Sequence, residues 1–443
     1  MRSLFAPLFF AFVAATGVSA QSIRLTPHRI QLSNHTITLN APDDLEIVPA
    51  VEGLKRVRFF AKAPDERLFV TDMYNLTDNK RGIVYILDGW DPKRGRFAKV
   101  IPYMIGLRNP NSVQFYRDVN GQDWLYLAET DKLTRRKFNA GETKPTDTHP
   151  ETLATFPDYG LSYKYGGWHL TRTIAFARDK LYISVGSSCN ACIEKEKVRA
   201  SIIEMNPDGS DQREIAHGLR NAVGLKYLDG HLFASNQGSD HLGLQKPDET
   251  FYALDPTADT DYGWPYCHSS NGKIFEDPGF KRQSDCKGVP APYAFFPAHA
   301  SALGFDYFGD DSPTSIRDSF LVALHGSTDK RIGHGYKIVV MRKDERLQDL
   351  ITGFLTGGVV MGRPCDIIKL DASSFLFTDD NKGVVFLVRK KGTASEITAA
   401  PLIEQPSTEA APQSSQGVTS KSCLSVVLVV AVAMIRTFRT AVR

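Results

Sequence analysis

Four stretches carry polar side chains that the surrounding β-rich pattern does not require. The first is Trp168-His169-Leu170-Thr171-Arg172. An imidazole titrates near neutrality, so His169 could take a proton from an alcohol; the plainer alternative is a loop histidine bonded to backbone. The second is His217-Gly218-Leu219-Arg220-Asn221-Ala222-Val223-Gly224. The rigid guanidinium of Arg220 suits two-point capture of a carboxylate, and Asn221 adds donors and an acceptor beside it. Flanking glycines let the backbone approach a flat ligand, although a tight turn with Arg220 in a surface ion pair would read the same way.

The third stretch runs from Asn236-Gln237-Gly238-Ser239-Asp240-His241 through Pro247-Asp248-Glu249 to Asp261-Tyr262-Gly263-Trp264-Pro265-Tyr266-Cys267. Clustered carbonyl, amide and carboxylate oxygens suit a hard cation such as calcium, without the regular spacing of an EF-hand loop. Asx-turn chemistry in a polar loop is the alternative. The fourth is Gly362-Arg363-Pro364-Cys365-Asp366, joined by His325-Gly326-Ser327 and Lys337. Together the four describe cations and amides around an anionic ligand, a hard-metal site and a histidine base. No nucleophile elbow, Walker loop, dinucleotide fingerprint or His-Glu-x-x-His is present, which argues against nucleotide-dependent and zinc-protease chemistry.

Such loops need a scaffold, and a repeat supplies it. An apolar strand-like run, ending in Ser, Asp, Asn or Gly in most copies, recurs at residues 67–72, 124–128, 181–186, 231–236, 319–324 and 374–379. Most of these runs lead into a second β-rich run. The copies lie roughly 50 to 60 residues apart, with one gap nearer 90. Each is too small to bury its own faces, so the copies predict blades packed radially, an all-β, six-bladed β-propeller. Leu45 to Phe60 is expected to complete the last blade and close the ring. A sandwich or a solenoid is the competing architecture. Loops from all blades converge on the mouth of a propeller's central channel, and the four polar stretches are expected there.

The ends and the cysteines bear on the compartment. Arg2, the apolar Leu4 to Val13 and the small residues Val18-Ser19-Ala20 read as a signal peptide over residues 1–20, leaving a propeller domain over 21–391. Export favours disulfides, and Cys189–Cys192 and Cys267–Cys286 are the expected pairs, with Cys365 and Cys423 over. Asn34-His35-Thr36 and Asn75-Leu76-Thr77 are glycan acceptor sequons. Residues 392–421, rich in Ser, Thr, Ala, Pro and Gln, read as a stalk. Residues 422–443 hold a short apolar run and read as a glycolipid-anchor signal or a short membrane segment. The product would be secreted or tethered at the cell surface. The formal net charge of +3 over 443 residues, without a basic stripe, gives no reason to expect a nucleic-acid partner.

The string HLTRTIAF, LYISVGSSCNAC, GLRNAVG, NQGSDHLG, PDE, DYGWPYC, HGS, GRPCD and FLFTDD, in that order, resembles the soluble quinoprotein glucose/sorbosone dehydrogenases. It is most similar to the sorbosone dehydrogenase and fungal pyranose dehydrogenase branch. The resemblance covers about Arg67 to Val388 and implies a six-bladed propeller holding pyrroloquinoline quinone (PQQ) and calcium. It also implies a sugar substrate whose hydride passes to the quinone, with the external electron acceptor left open. By the same resemblance His169 is the catalytic base, and Arg220, Asn221, Arg363 and Lys337 bind the cofactor. Gly238 and Ser239 offer backbone carbonyls to calcium. Two positions depart from the glucose-oxidising branch: Ser187 stands where an aspartate supports the histidine, and a second arginine near Arg363 is missing, with Cys365 near its place. Two other readings accompany this one. One is a non-catalytic extracellular binding propeller, as in hedgehog-interacting relatives; the other is a calcium-dependent lactonase-like hydrolase.

Overall fold

The computed structural model describes residues 22–157, 169–281 and 285–397. The expected signal segment, most of the expected stalk and the apolar tail with Cys423 lie outside these residues. Within them the chain is strands and loops, with a single 3-10 turn at Cys286–Gly288.

Six largely antiparallel sheets carry the fold, each stepping outward strand by strand in sequence order except for the outermost strand of the last. Their innermost strands are Val57–Lys62, Ser112–Arg117, Arg172–Ala177, Ala222–Leu228, Ala302–Phe308 and Pro364–Asp371, and these define blades 1 to 6. Each innermost strand packs beside the next, and the sixth returns to the first. That ring is a six-bladed propeller. The second strands of the blades are the apolar runs that repeat in the sequence, such as Leu68–Asp72, Lys180–Val185 and Ser374–Asp379. They are buried almost throughout because both faces of a middle strand touch neighbouring blades.

Closure follows the expectation in part. Leu45–Val51 pairs with Val384–Lys390 as the outermost strand of blade 6, so the N-terminal side of the chain zips the ring shut. The second half of that stretch belongs elsewhere, since Val57–Lys62 opens blade 1. A chain that must close a ring and then begin a new blade turns between the two, and Gly53, at φ 87°, lies in that turn. The long gap lies in blade 4, whose outer strand is Ala294–Phe296. The intervening insertion lends Thr260–Asp261 to blade 3 as a parallel fifth strand. It then folds the hairpin Cys267–Ser270 with Lys273–Glu276. A further hairpin, Leu25–Gln31 with Thr36–Pro42, precedes the ring and bridges to blade 5 through Asn40 and Thr352.

Hydroxyls stitch neighbouring blades together. Thr71 donates to the Asn111 carbonyl at 2.8 Å, Ser235 to Leu303 at 2.6 Å and Thr378 to Arg58 at 2.8 Å. Each joins a second strand to the innermost strand of the next blade or the residue just before it. Thr173 makes a comparable bond to Val223 at 2.6 Å. The channel itself is plugged by Phe59, Val223, Leu303 and Cys365, one residue from each of four innermost strands. Cys365 is therefore a core residue with a free thiol, whose ionisation burial strongly opposes. Both expected disulfides are formed, Cys189–Cys192 and Cys267–Cys286.

Candidate active site

The loops that enter the innermost strands lie at one mouth of the channel, because all six strands run the same way. His169 sits three residues before the innermost strand of blade 3, with φ 52°. Asn109 and His299 hold the equivalent places before blades 2 and 5, also left-handed. The left-handed turn is thus a device of this repeat, and a histidine in it is aimed by the scaffold. Such a conformation costs a non-glycine residue about 1–3 kcal/mol.

His169 Nδ1 lies 3.0 Å from the Ser187 carbonyl and 2.9 Å from Ser187 Oγ. A carbonyl only accepts, so Nδ1 carries the proton and Nε2 holds the lone pair. Ser187 Oγ donates onward to the Cys189 carbonyl at 2.7 Å. Ser187 therefore fixes this tautomer through its backbone oxygen and without a negative charge. Burial, followed by Arg220 and then by Arg172 and Arg199, holds the His169 imidazole well below its usual 6.5. The imidazole is thereby biased toward its neutral, proton-accepting form.

Arg220 and Asn221 are buried beside it. Gly186 makes this approach feasible: a Cβ there would fall 2.5 Å from both His169 Cβ and Asn221 Oδ1. Arg220 donates through Nε to the Asn190 carbonyl at 2.8 Å and through Nη2 to Asn190 Oδ1 at 2.9 Å. Asn190 lies inside the Cys189–Cys192 bridge, so the disulfide loop is the clamp that orients the arginine. The same Asn190 Oδ1 accepts from the Asp240 backbone at 2.9 Å, and Asp240 pairs with Arg220 at 3.6 Å and His299 at 3.0 Å. Asn221 Nδ2 reaches Gln237 Oε1 at 2.8 Å.

Gly238 and Ser239 follow on the next loop. The Gly238 Cα side abuts the backbone of Asp248, where a Cβ would sit 2.7 Å from the carbonyl. Ser239 Oγ accepts from Trp264 Nε1 at 2.9 Å, which pins the Tyr-Gly-Trp-Pro segment against this loop. Behind them lies Glu249. Hydrogen bonds from the Ser301 and Gly238 backbone reach its carboxyl, yet Oε2 is buried with no partner. Burial raises this carboxyl to about 8 in spite of the nearby Arg220. A buried acid with an orphaned oxygen beside carbonyl-bearing loops is the kind of place a hard cation would satisfy. The residues of blades 3 and 4 thus fit an anionic, planar cofactor with calcium.

The other side of the mouth differs. Arg363 turns into its own neighbourhood, donating to the Gly326 carbonyl at 2.7 Å, the Ser327 carbonyl at 3.0 Å and Tyr336 Oη at 3.0 Å. Lys337 lies on the third strand of blade 5 and pairs with Asp349 on the outer strand at 2.8 Å. The structure therefore brings His169, Arg220, Asn221, Gly238 and Ser239 together, and engages Arg363 and Lys337 within blades 5 and 6. His325 meets Asp380 at 2.8 Å, and Arg58 meets the same carboxylate at 2.7 Å. Burial and then His325 and the arginines act in opposite senses on Asp380; the net effect keeps it ionised far below its ordinary range. Sequence reasoning missed Asn190, Arg58 and Asp380. For Asn190 the signal was its place within C-x-x-C directly after a strand. Of the glycan sequons, Asn34 is exposed in the turn of the first hairpin, while Asn75 Oδ1 accepts from Thr77 at 2.7 Å.

The family model named TrAA12-like matches residues 112–349. The chain belongs to the TrAA12-like family. This match takes in blades 2 to 4 and most of blade 5, including the whole His169–Arg220–Gly238 side of the mouth. Among curated proteins, an uncharacterized protein of Borreliella burgdorferi is 29% identical over 280 residues, 60% of this chain and 72% of that one. Among solved structures, the PQQ domain of pyranose dehydrogenase from Coprinopsis cinerea aligns with a TM-score of 0.65 at 19% identity, over 81% of this chain and 98% of that one. A carbohydrate-active enzyme of family AA12 from Trichoderma reesei aligns at 0.64 and 16% identity, over 85% and 100%. The soluble aldose sugar dehydrogenase of Escherichia coli aligns at 0.55 and 13% identity, over 78% and 99%. At these identities the structures bear on the fold, which they share with this chain.

Proposed function

We propose that this TrAA12-like propeller is an oxidoreductase that oxidises a sugar or related polyol, using PQQ and calcium at the mouth between blades 3 and 4. The observation that carries the reading is the fixed tautomer of His169 beside Arg220 and Asn221. The Coprinopsis cinerea domain is described as a PQQ domain in its holo form and a Trichoderma reesei AA12 structure as a calcium structure, which supports the same pairing here.

In this reading Arg220, Asn221 and Gln237 hold the cofactor, with the Gly238 and Ser239 carbonyls and the Glu249 carboxyl nearest the metal. PQQ supplies a two-electron acceptor that the side chains of a protein lack. The chain's own part is positional and acid–base. Ser187 presents His169 with its lone pair on Nε2, which takes the proton of the substrate hydroxyl as the carbon is oxidised. Arg220, kept buried and clamped by Asn190, supplies fixed positive charge that needs no rearrangement during the reaction. The two disulfides support an exported protein, in keeping with the signal-like N-terminus.

A second reading has one observation in its favour. Arg363 is tied across to blade 5 and Lys337 within blade 5, as a binding propeller without turnover would allow. Incubating the purified protein with PQQ and calcium, then offering a sugar panel with an artificial electron-accepting dye, separates the readings. Dye reduction that requires PQQ, calcium and sugar together supports the oxidoreductase. No reduction with any sugar overturns it in favour of the binding module, and lactone opening without a dye would instead identify a hydrolase.

A further inference from the structure

We propose that His241, His268 and Asp277 form a binding site for a divalent transition-metal ion of the zinc type, separate from the calcium loop. His241 Nε2 and His268 Nε2 each lie 2.8 Å from the same oxygen, Asp277 Oδ2. The three ligand atoms all lie within 4.8 Å of one another. Zinc bonds to imidazole nitrogen and carboxylate oxygen of about 2.0–2.1 Å allow one ion to touch all three after small side-chain shifts.

The carboxylate is held for this task. Asp277 Oδ1 accepts from the Gly279 backbone at 2.7 Å and from Phe280 at 2.9 Å, which leaves Oδ2 facing the two imidazoles. The backbone of Pro265 hydrogen-bonds the His268 ring as well, and such an outer partner orients a ligating histidine. His268 and Asp277 are buried, whereas the His241 side chain is 29% exposed. That exposure gives an ion a way in and leaves room for water as a further ligand. Two imidazoles with one carboxylate favour zinc and its neighbours, whereas calcium prefers oxygen donors alone. The second cluster of this kind, Cys189, Cys192 and Glu194, has both sulfurs in a disulfide.

The position gives the ion a structural consequence. His241 lies two residues beyond Ser239 and directly after Asp240, the partner of Arg220. His268 and Asp277 stand at the open end of the inserted hairpin, Asp277 one residue beyond its second strand, where the Cys267–Cys286 bridge also ties it. A bound ion joins the hairpin to the loop that carries Ser239 and Asp240, without entering the cofactor site.

The test uses the full chain, stripped with a chelator and titrated with zinc chloride in excess calcium and without PQQ. Calorimetry, retained metal by mass spectrometry and thermal melts are read together. About one zinc per chain, a raised melting temperature, and loss of at least about 100-fold in affinity for His241→Ala are expected, beyond the cost of altering an outer partner. Asp277→Asn should lose zinc in the same way, with Asn Oδ1 still able to accept from the Gly279 and Phe280 backbone. His241 is partly exposed, so its alanine variant should melt like the stripped wild type even where Asp277→Asn does not fold. Wild type that retains no zinc at micromolar concentration, or His241→Ala that binds it equally well, overturns the site. Because PQQ is absent throughout, this outcome is independent of the dehydrogenase reading.

Discussion

Blades 1, 4 and 6 end their second strands in Asp72, Asn236 and Asp379, whereas blades 3 and 5 end theirs, in the same register, in Val185 and Leu324. In the first group that polar side chain accepts from the backbone of the loop entering its own blade. Asp72 takes Lys55 and Arg56, Asn236 takes Asn221, and Asp379 takes Arg363. Blade 2 uses Glu129 one residue later, on Arg108. The second group gives up this brace and puts a Gly-Ser pair at the strand end instead, Gly186-Ser187 and Gly326-Ser327. Each of these is accompanied by a mouth histidine, His169 or His325. The brace is therefore given up in blade 3, where the proposed base sits, and in blade 5, and is kept in blade 4, where it holds the backbone of Asn221. The two broken blades then diverge: His169 is left a neutral acceptor, while His325 is paired with Asp380.

The largest effect expected from this contrast is on His169. His169→Ala should lower turnover by about 10²–10⁴ while PQQ affinity stays within a few-fold; undiminished turnover would remove the base from blade 3. In the braced blades the loss should be of stability. Asp72→Ala leaves the Lys55, Arg56 and Tyr74 backbone N–H groups without their acceptor, and denaturant melts should show a cost of about 3 kcal/mol. Gly186→Ala sharpens the comparison, since its Cβ would displace His169 or Asn221. Turnover should fall by about 100-fold with a near-normal melt, as expected for misplacement of a reacting group by about 1 Å.

Much of this was legible in the sequence, for a physical reason. Second strands such as Leu68–Asp72 and Ser374–Asp379 are buried on both faces, so their apolar runs repeat visibly, and the ring follows from the repeat. Outer strands such as Glu151–Thr155 are half-exposed and carry little pattern. His169, Arg220 and Gly238 could be picked out because polar groups beside inner strands lack a folding role. What could not be read was partnership across blades. Nothing in the order of residues says that Asn190 grips Arg220, or that Arg363 turns to the carbonyls of residues 326 and 327. The pairing of Arg58 with Asp380, 322 positions apart in the chain, is likewise a product of ring closure.

Smaller effects test the divergence of the two histidines. The base form of His169 is the one that accepts a proton, and burial with Arg220 lowers its pKa. Activity should therefore rise with pH along a limb whose midpoint lies below the ordinary 6.5, and a limb above it would point to another group. Replacing both Cys189 and Cys192 by serine frees the loop that carries Asn190. We expect a loss of about 10-fold in PQQ affinity, about 1.4 kcal/mol, with turnover at saturating PQQ little changed.

The central claim is that the blade 3–4 side of the mouth holds the cofactor. Titrating wild type and Arg220→Ala with PQQ, in calcium and then in chelator, measures it most directly by absorbance. The account predicts saturable, calcium-dependent binding by wild type, weakened by at least about 100-fold in Arg220→Ala, as for loss of a buried charged hydrogen-bonding partner. Equal binding by the two proteins, or none by wild type at any calcium concentration, would contradict it.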